Sequence, residues 1–304
     1  MKVPGETFEF AVVQTRALIR RLNFQIRTSL GNDDAETVHD LRVGIRRLMQ
    51  AMLVFAPCLY AREIGKAWRR LKRIMAAASL VRNCDIATKL CGKRADRFQK
   101  KIQSRRDNGR RKLIVALQHW TRGNYSAGLI DSSATSTARN QEFGRNGIES
   151  TARRVLCKTT KRFFRAGNQA AEEAASPREL HEFRIVAKQF RYTLELFLPV
   201  CRQSAAVRLN QIKAIQTSLG DVNDCETVRV MLAKWGGRGR INRFLKKREQ
   251  KNTEEFRQEW TEAFADPENL HRWLRDLQRF RITGRERPRP TPIARAASRA
   301  AFLA

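Results

Sequence analysis

Apolar residues recur along most of this chain at helical spacing, and one such segment occurs twice. The first copy, VHDLRVGIRRLMQAMLVFAP, runs from Val38 to Pro57; the second, LHEFRIVAKQFRYTLELFLP, runs from Leu180 to Pro199. Counted at about 100° per residue, Leu41, Ile45, Leu48, Met52 and Phe55 form one stripe of the first copy. His39, Arg42, Arg46 and Gln50 fall on a different face, roughly 130° away. In the second copy that face carries His181, Arg184, Lys188, Arg191 and Tyr192. Each helix is therefore expected to bury one side and to hold a histidine and several cations on the other.

Sustained period-2 alternation is scarce, and β-branched residues are scattered through helical patterns, so the chain reads as all-α. An opening helix from Glu6 to about Ser29 should turn Phe10, Val13, Ala17, Leu18 and Leu22 inward. Gly31-Asn32-Asp33-Asp34 is a turn leading into the first core helix. A third helix begins near Ala61 and is expected to end in the polar stretch Ser79 to Asp85. Residues 86–120 are very basic and suggest one or two long, partly exposed helices, whereas the small and polar residues 123–147 read as a linker. A helix from Ile148 to Glu173 then matches the opening one, and Ser176, Pro177 and Glu179 give a helix start with cap, N1 proline and capping-box acid. After the second core helix, VRLNQIKAIQTSLGDVNDCETVRVML repeats KAWRRLKRIMAAASLVRNCDIATKL, so that Lys72 meets Lys213 and Cys84 meets Cys225. The offset is 142 in the core helices and 141 here. Gly236 to Gly239 break the chain before a last basic helical stretch to about Phe280, and residues 281–304 read as a disordered basic tail. A repeat this long is not a solenoid. It implies two homologous helical bundles, 6–122 and 148–280, whose pseudo-twofold packing brings the two cationic faces together.

Charge sharpens the picture. The 304 residues hold 61 Lys and Arg against 30 Asp and Glu, a formal net charge of +31. Hydrophobic residues make up 42%, which excludes a disordered polycation. Such self-repulsion points to a polyanionic partner: nucleic acid, an anionic membrane surface or inorganic polyphosphate. Composition does not choose among them. Cys58, Cys84, Cys91, Cys157, Cys201 and Cys225 form no C-x-x-C pair and read as reduced, mostly buried small hydrophobes. The N-terminus lacks a signal-peptide pattern, and no stretch approaches the roughly 20 apolar residues of a spanning helix, so a soluble cytoplasmic protein without membrane insertion is expected.

The pair of core segments, each followed by SLVRNCDI or SLGDVNDCE, resembles the CHAD family (conserved histidine α-helical domain) from about Glu6 to Phe280. The resemblance implies two helical bundles about a pseudo-twofold axis, a basic central channel, and binding of inorganic polyphosphate, with association to polyphosphate granules. Carried over by position, the binding face comprises His39, Arg42, Arg46 and Lys72, then His181, Arg184, Lys188, Arg191, Tyr192 and Lys213. The basic neighbours Arg47, Arg69 and Arg73 join the candidates. The chain departs from the family pattern at Ser79 and Asn83 in the first polar stretch, and at Met49 and Gln189.

These residue types suit the ligand. A phosphate chain has no base to read, so donors and positive potential along a track suffice; Arg offers a planar fork and Lys a mobile charge. Residues 39 to 50 climb roughly 17 Å of helix, enough to meet several phosphates. A histidine beside a dense polyanion should gain a proton, so binding is expected to strengthen as pH falls from about 8 to 6. A helical row of cations is usually a solvated face, but its recurrence in both copies argues against that reading. His119 and His271 lack counterparts and read as structural, while Asp85, Asp221, Asp224 and Glu226 read as caps or partners of core arginines rather than metal ligands. No nucleophile–base pair, Gly-rich phosphate loop, metal motif or E-x-E-x-K pattern is present, so a non-enzymatic protein without cofactor is expected. The alternatives are a sequence-independent nucleic-acid binder and, behind it, a metal-dependent enzyme of phosphate metabolism.

Overall fold

The computed structural model describes residues 6–59, 61–135 and 147–280, and among them the chain is all-α. In order the helices are α1 (Glu6–Gly31), α2 (Ala35–Val54), α3 (Ala61–Cys91), α4 (Gln99–Arg122), α5 (Tyr125–Thr135), α6 (Ile148–Ala171), α7 (Pro177–Phe197), α8 (Ser204–Ala233), α9 (Arg240–Phe264) and α10 (Pro267–Leu277). Short 3₁₀ turns, Ala56–Cys58 and Gly92–Phe98, follow α2 and α3. An isolated bridge pairs Cys201 with Phe280.

Local chemistry explains the helix starts. Asp34 caps α2, its side chain accepting from the Thr37 amide at 2.6 Å. Ser176 and Glu179 form a full capping box at α7, with Pro177 in the first turn, as the sequence predicts. Neighbours in sequence pack as hairpins: α1 on α2, α3 on α4, α6 on α7 and α8 on α9. The two core helices α2 and α7 also touch each other, as do α3 and α8. Where α2 and α7 end, the equivalent residues Phe55 and Phe197 meet edge to face at 5.9 Å, and Phe10 of α1 lies against both.

Three expectations need correction. α1 is turned about its axis relative to the predicted stripe: Phe10, Ile19, Leu22 and Ile26 are buried, but Val13 is 52% exposed and Ala17 faces solvent. Contact of α1 with both α2 and α6 demands a different arc from the one hydropathy marks. Neither polar stretch ends its helix; α3 continues to Cys91 and α8 to Ala233. Val81 stays buried in the main core, while Cys84, Ala87 and Cys91 join Val228, Met231, Leu232, Ile241 and Leu245 in a second, smaller core. That apolar stripe carries both helices through the polar segment, and Ser79 bonds back to Met75 O within the helix at 2.7 Å. Tyr125–Thr135, placed in the linker by composition, form α5, which packs on α1 and α3 and buries Leu129. The rest of that segment to residue 146, and the tail 281–304, lie outside the described residues.

The six cysteines form no disulfide with one another, and five are buried. Burial pushes the Cys58 thiol up to about 12.

Candidate functional site

The packing of α2 on α7 and α3 on α8 gathers a cluster of cations. Arg42 and Arg46 come from α2, Arg82 from α3, and Arg184 and Lys188 from α7, with Asp224 of α8 as their carboxylate neighbour. The electrostatics report how crowded they are. Burial, then Arg46, Arg82 and Arg184, lower the Arg42 pKa to about 10 against the attraction of Asp224. Burial also lowers Arg184, partly offset by Asp224. Lys188 is most affected: burial and the charges of Arg184, Arg46 and Arg42 pull it down to about 6, so it is largely neutral at pH 7. Burial raises the Asp224 carboxyl, although Arg184 and Arg82 oppose that rise. One carboxylate thus stands among five cationic side chains.

The hydrogen bonding shows the same imbalance. The Nε groups of Arg42 and Arg184, equivalent positions of the repeat, are buried without a hydrogen-bond partner. A buried guanidinium donor left unmade costs about 1–3 kcal/mol. Two of them at the meeting point of like charges form a cradle that an anion would complete.

The other predicted residues divide into groups. His39 is half-buried beside the cluster, and burial followed by the Arg82 charge holds its pKa below the usual value, so it is neutral at pH 7. Arg46 donates from Nε to the Tyr192 hydroxyl at 3.1 Å, and Arg191 donates to the same oxygen at 2.9 Å. Tyr192 is buried, so its hydroxyl positions both arginines. Arg47 points elsewhere, bonding Glu195 at 2.7 Å. Burial alone would lower the Arg47 pKa, but the Glu195 bond and charge outweigh it and raise it. Gln50 donates to Thr193 Oγ1 at 2.9 Å, tying α2 to α7. His181, Arg69, Lys72, Arg73 and Lys213 are exposed. Lys72 sits 5.9 Å from the Trp68 ring, and Arg73 lies roughly 180° around α3 from Arg82.

Arg82 escaped the sequence reading. Its repeat partner is Asn223, so the duplication does not mark it, and it sits in a stretch read as a turn. The acids behave as ion-pair residues: Asp85 binds Arg106 at 2.7 Å, and Glu226 pairs with Arg229. Among the described residues no group of three His, Cys, Asp or Glu side chains is placed to hold a metal ion. No described helix is long and apolar enough to cross a membrane.

Comparison with known families places the chain: residues 14–233 match the CHAD domain. The chain belongs to the CHAD family. The crystal structure of the CHAD domain from the plant Ricinus communis is similar in fold, with a TM-score of 0.63 at 17% identity over 92% of this chain and 96% of that one. PptA from Streptomyces chartreusis gives 0.58 at 14% identity, over 85% of this chain and all of that one. At such identities the likeness is one of fold. No curated protein matches the sequence.

Proposed function

We propose that this CHAD protein binds inorganic polyphosphate, without catalysis, in a basic channel where the two repeats face each other about a pseudo-twofold axis. The observation that carries the reading is the pair of buried, unpartnered Nε donors of Arg42 and Arg184 within one cation cluster. A structural role would leave such charges paired; here four arginines and the largely neutral Lys188 share one carboxylate. Arg46 and Arg82 extend the cluster, Lys188 gains its proton as an anion enters, and Tyr192 holds the Arg46 guanidinium in place. The cluster's side chains offer donors and charge but no nucleophile–base pair. A cytoplasmic protein associated with polyphosphate granules follows from this reading.

A competition titration at roughly physiological salt tests it. Labelled long-chain polyphosphate is bound to the wild type and to a variant with Arg42, Arg46, Arg184 and Lys188 changed to Ala, with duplex DNA as competitor at equal phosphate concentration. Tight binding that DNA displaces poorly, and that a folded variant lacks, supports the channel. Even competition by DNA and undiminished binding by the variant would show that the charge acts as a diffuse coat.

A further inference from the structure

A second basic concavity lies on the outer side of α3 and α4. It encloses about 400 Å³ and is walled by Arg70 and Arg73 of α3 and by Arg111, Lys112 and His119 of α4. Val115 and Ala116 give it an apolar floor, and no carboxylate lines it. On α4 the polar residues follow helical spacing, climbing about 12 Å along one edge. Arg70 is already oriented: its Nε donates to the Tyr125 hydroxyl at 3.0 Å, and its guanidinium lies 5.4 Å from that ring's centroid.

Comparison with the other repeat shows that the scaffold does not require this charge. Buried Ile102, Gly109, Leu113 and Leu117 of α4 correspond, at a constant offset of 143, to buried Leu245, Asn252, Phe256 and Trp260 of α9. At the same offset Arg111, Lys112, Ala116 and His119 correspond to Glu254, Glu255, Glu259 and Glu262, all exposed. On α8, Gln211 and Ala214 replace Arg70 and Arg73. One helix pair packs equally well with a basic or an acidic outer face. The basic one is concave, has no carboxylate in its lining and has an apolar floor, the composition of a small-ligand pocket.

We propose that the α3–α4 cleft is a second, discrete anion site that takes a small phosphorylated ligand through its di- or triphosphate group. Arg73, Arg111 and Lys112 meet the phosphate oxygens, Arg70 forms a fixed wall, and Val115 and Ala116 leave room for an apolar moiety such as a nucleobase. The inference does not rest on the polyphosphate reading, because the cleft shares no side chain with the central cluster.

The experiment is calorimetric titration at physiological salt with two probes, ATP and inorganic tripolyphosphate. The full chain carries R42A, R46A, R184A and K188A, so that the central cluster is silent. Saturable one-to-one binding is expected, weakened about tenfold or more by adding R111E and K112E. The milder R111Q should weaken it in the same direction, and circular-dichroism melting confirms that each variant is folded. Binding of both probes supports a site for the phosphate group alone. Binding of ATP only supports a nucleotide site, and of tripolyphosphate only a site for short phosphate chains. No binding of either probe, or binding indifferent to the α4 charges in folded variants, overturns the proposal.

Discussion

Helices α2 and α7 carry similar sequences at an offset of 142, yet the side-chain hydrogen bonds that join them use positions where the two differ. Arg46, Gln50 and Arg47 of α2 donate to Tyr192, Thr193 and Glu195 of α7. At the positions of those three acceptors α2 has Gln50, Ala51 and Leu53. Arg42 and Arg184, the same residue in both copies, make the opposite use of their place: each keeps a buried donor without a partner. Divergent positions supply the hydrogen bonds across the interface, the shared Phe55 and Phe197 supply its aromatic contact, and the shared arginines leave donors open. The cluster's other asymmetry is on the neighbouring helices, where α3 offers Arg82 and Asn83, and α8 offers Asn223 and Asp224. The charges of the cluster come from both copies, but its one carboxylate comes from the second.

The comparison can be broken most forcefully in the core. Phe55→Ala and Phe197→Ala should each cost about 3–5 kcal/mol, since each empties the same aromatic contact from one side. Denaturant melts giving strongly unequal losses would show that the two ends of the repeat are not energetically equivalent.

Next comes the open pair. Arg42→Gln and Arg184→Gln should each weaken polyphosphate binding about tenfold, and the double variant about a hundredfold, while thermal stability holds or rises. Loss of binding from only one of the two changes would tie the site to a single copy. Glu195→Gln probes the divergent positions instead: it strips Arg47 of its charged partner and should destabilise by about 1–3 kcal/mol, with polyphosphate affinity within a fewfold of wild type.

Lys188 links binding to pH. Its folded-state pKa, about 6, lies below the unfolded 10.5, so the unfolded chain binds more protons between those values. The burial penalty is therefore full below about pH 6 and fades as pH rises toward 10.5. Lys188→Met should stabilise the fold by about 1–4 kcal/mol near neutrality. An entering polyanion raises the pKa of Lys188 and of His39, so binding takes up protons. Affinity should strengthen as pH falls from about 8 to 6 and level off below, with a shallower slope in Lys188→Met; an equal slope in both proteins would remove Lys188 from the site. The smallest effect is expected from Tyr192→Phe, which removes one hydroxyl shared by Arg46 and Arg191 and should cost about 1 kcal/mol in melting and a fewfold in affinity.

Much of this was determined along the chain itself. Helical periodicity, the capping box at Ser176 and the turn before Ala35 set the helix starts, and the repeat paired His39 with His181 and Arg42 with Arg184. These are local or register properties, and a linear pattern carries them. The tertiary structure decided what depended on neighbours distant in sequence. Hydropathy misjudged the buried arc of α1, because that helix packs against α2, α5 and α6 at once. The polar stretches read as turns, but the packing of the helices buries Cys84 and Cys225 within them, Cys84 in a second core. Arg47 and Arg46 are adjacent cations in the sequence, yet only packing against α7 sends one to Glu195 and the other to the cluster. Likewise Arg82 joins the site, and Lys188 gives up its charge at neutral pH, only because three helices crowd their cations into a space too dry to hold every proton.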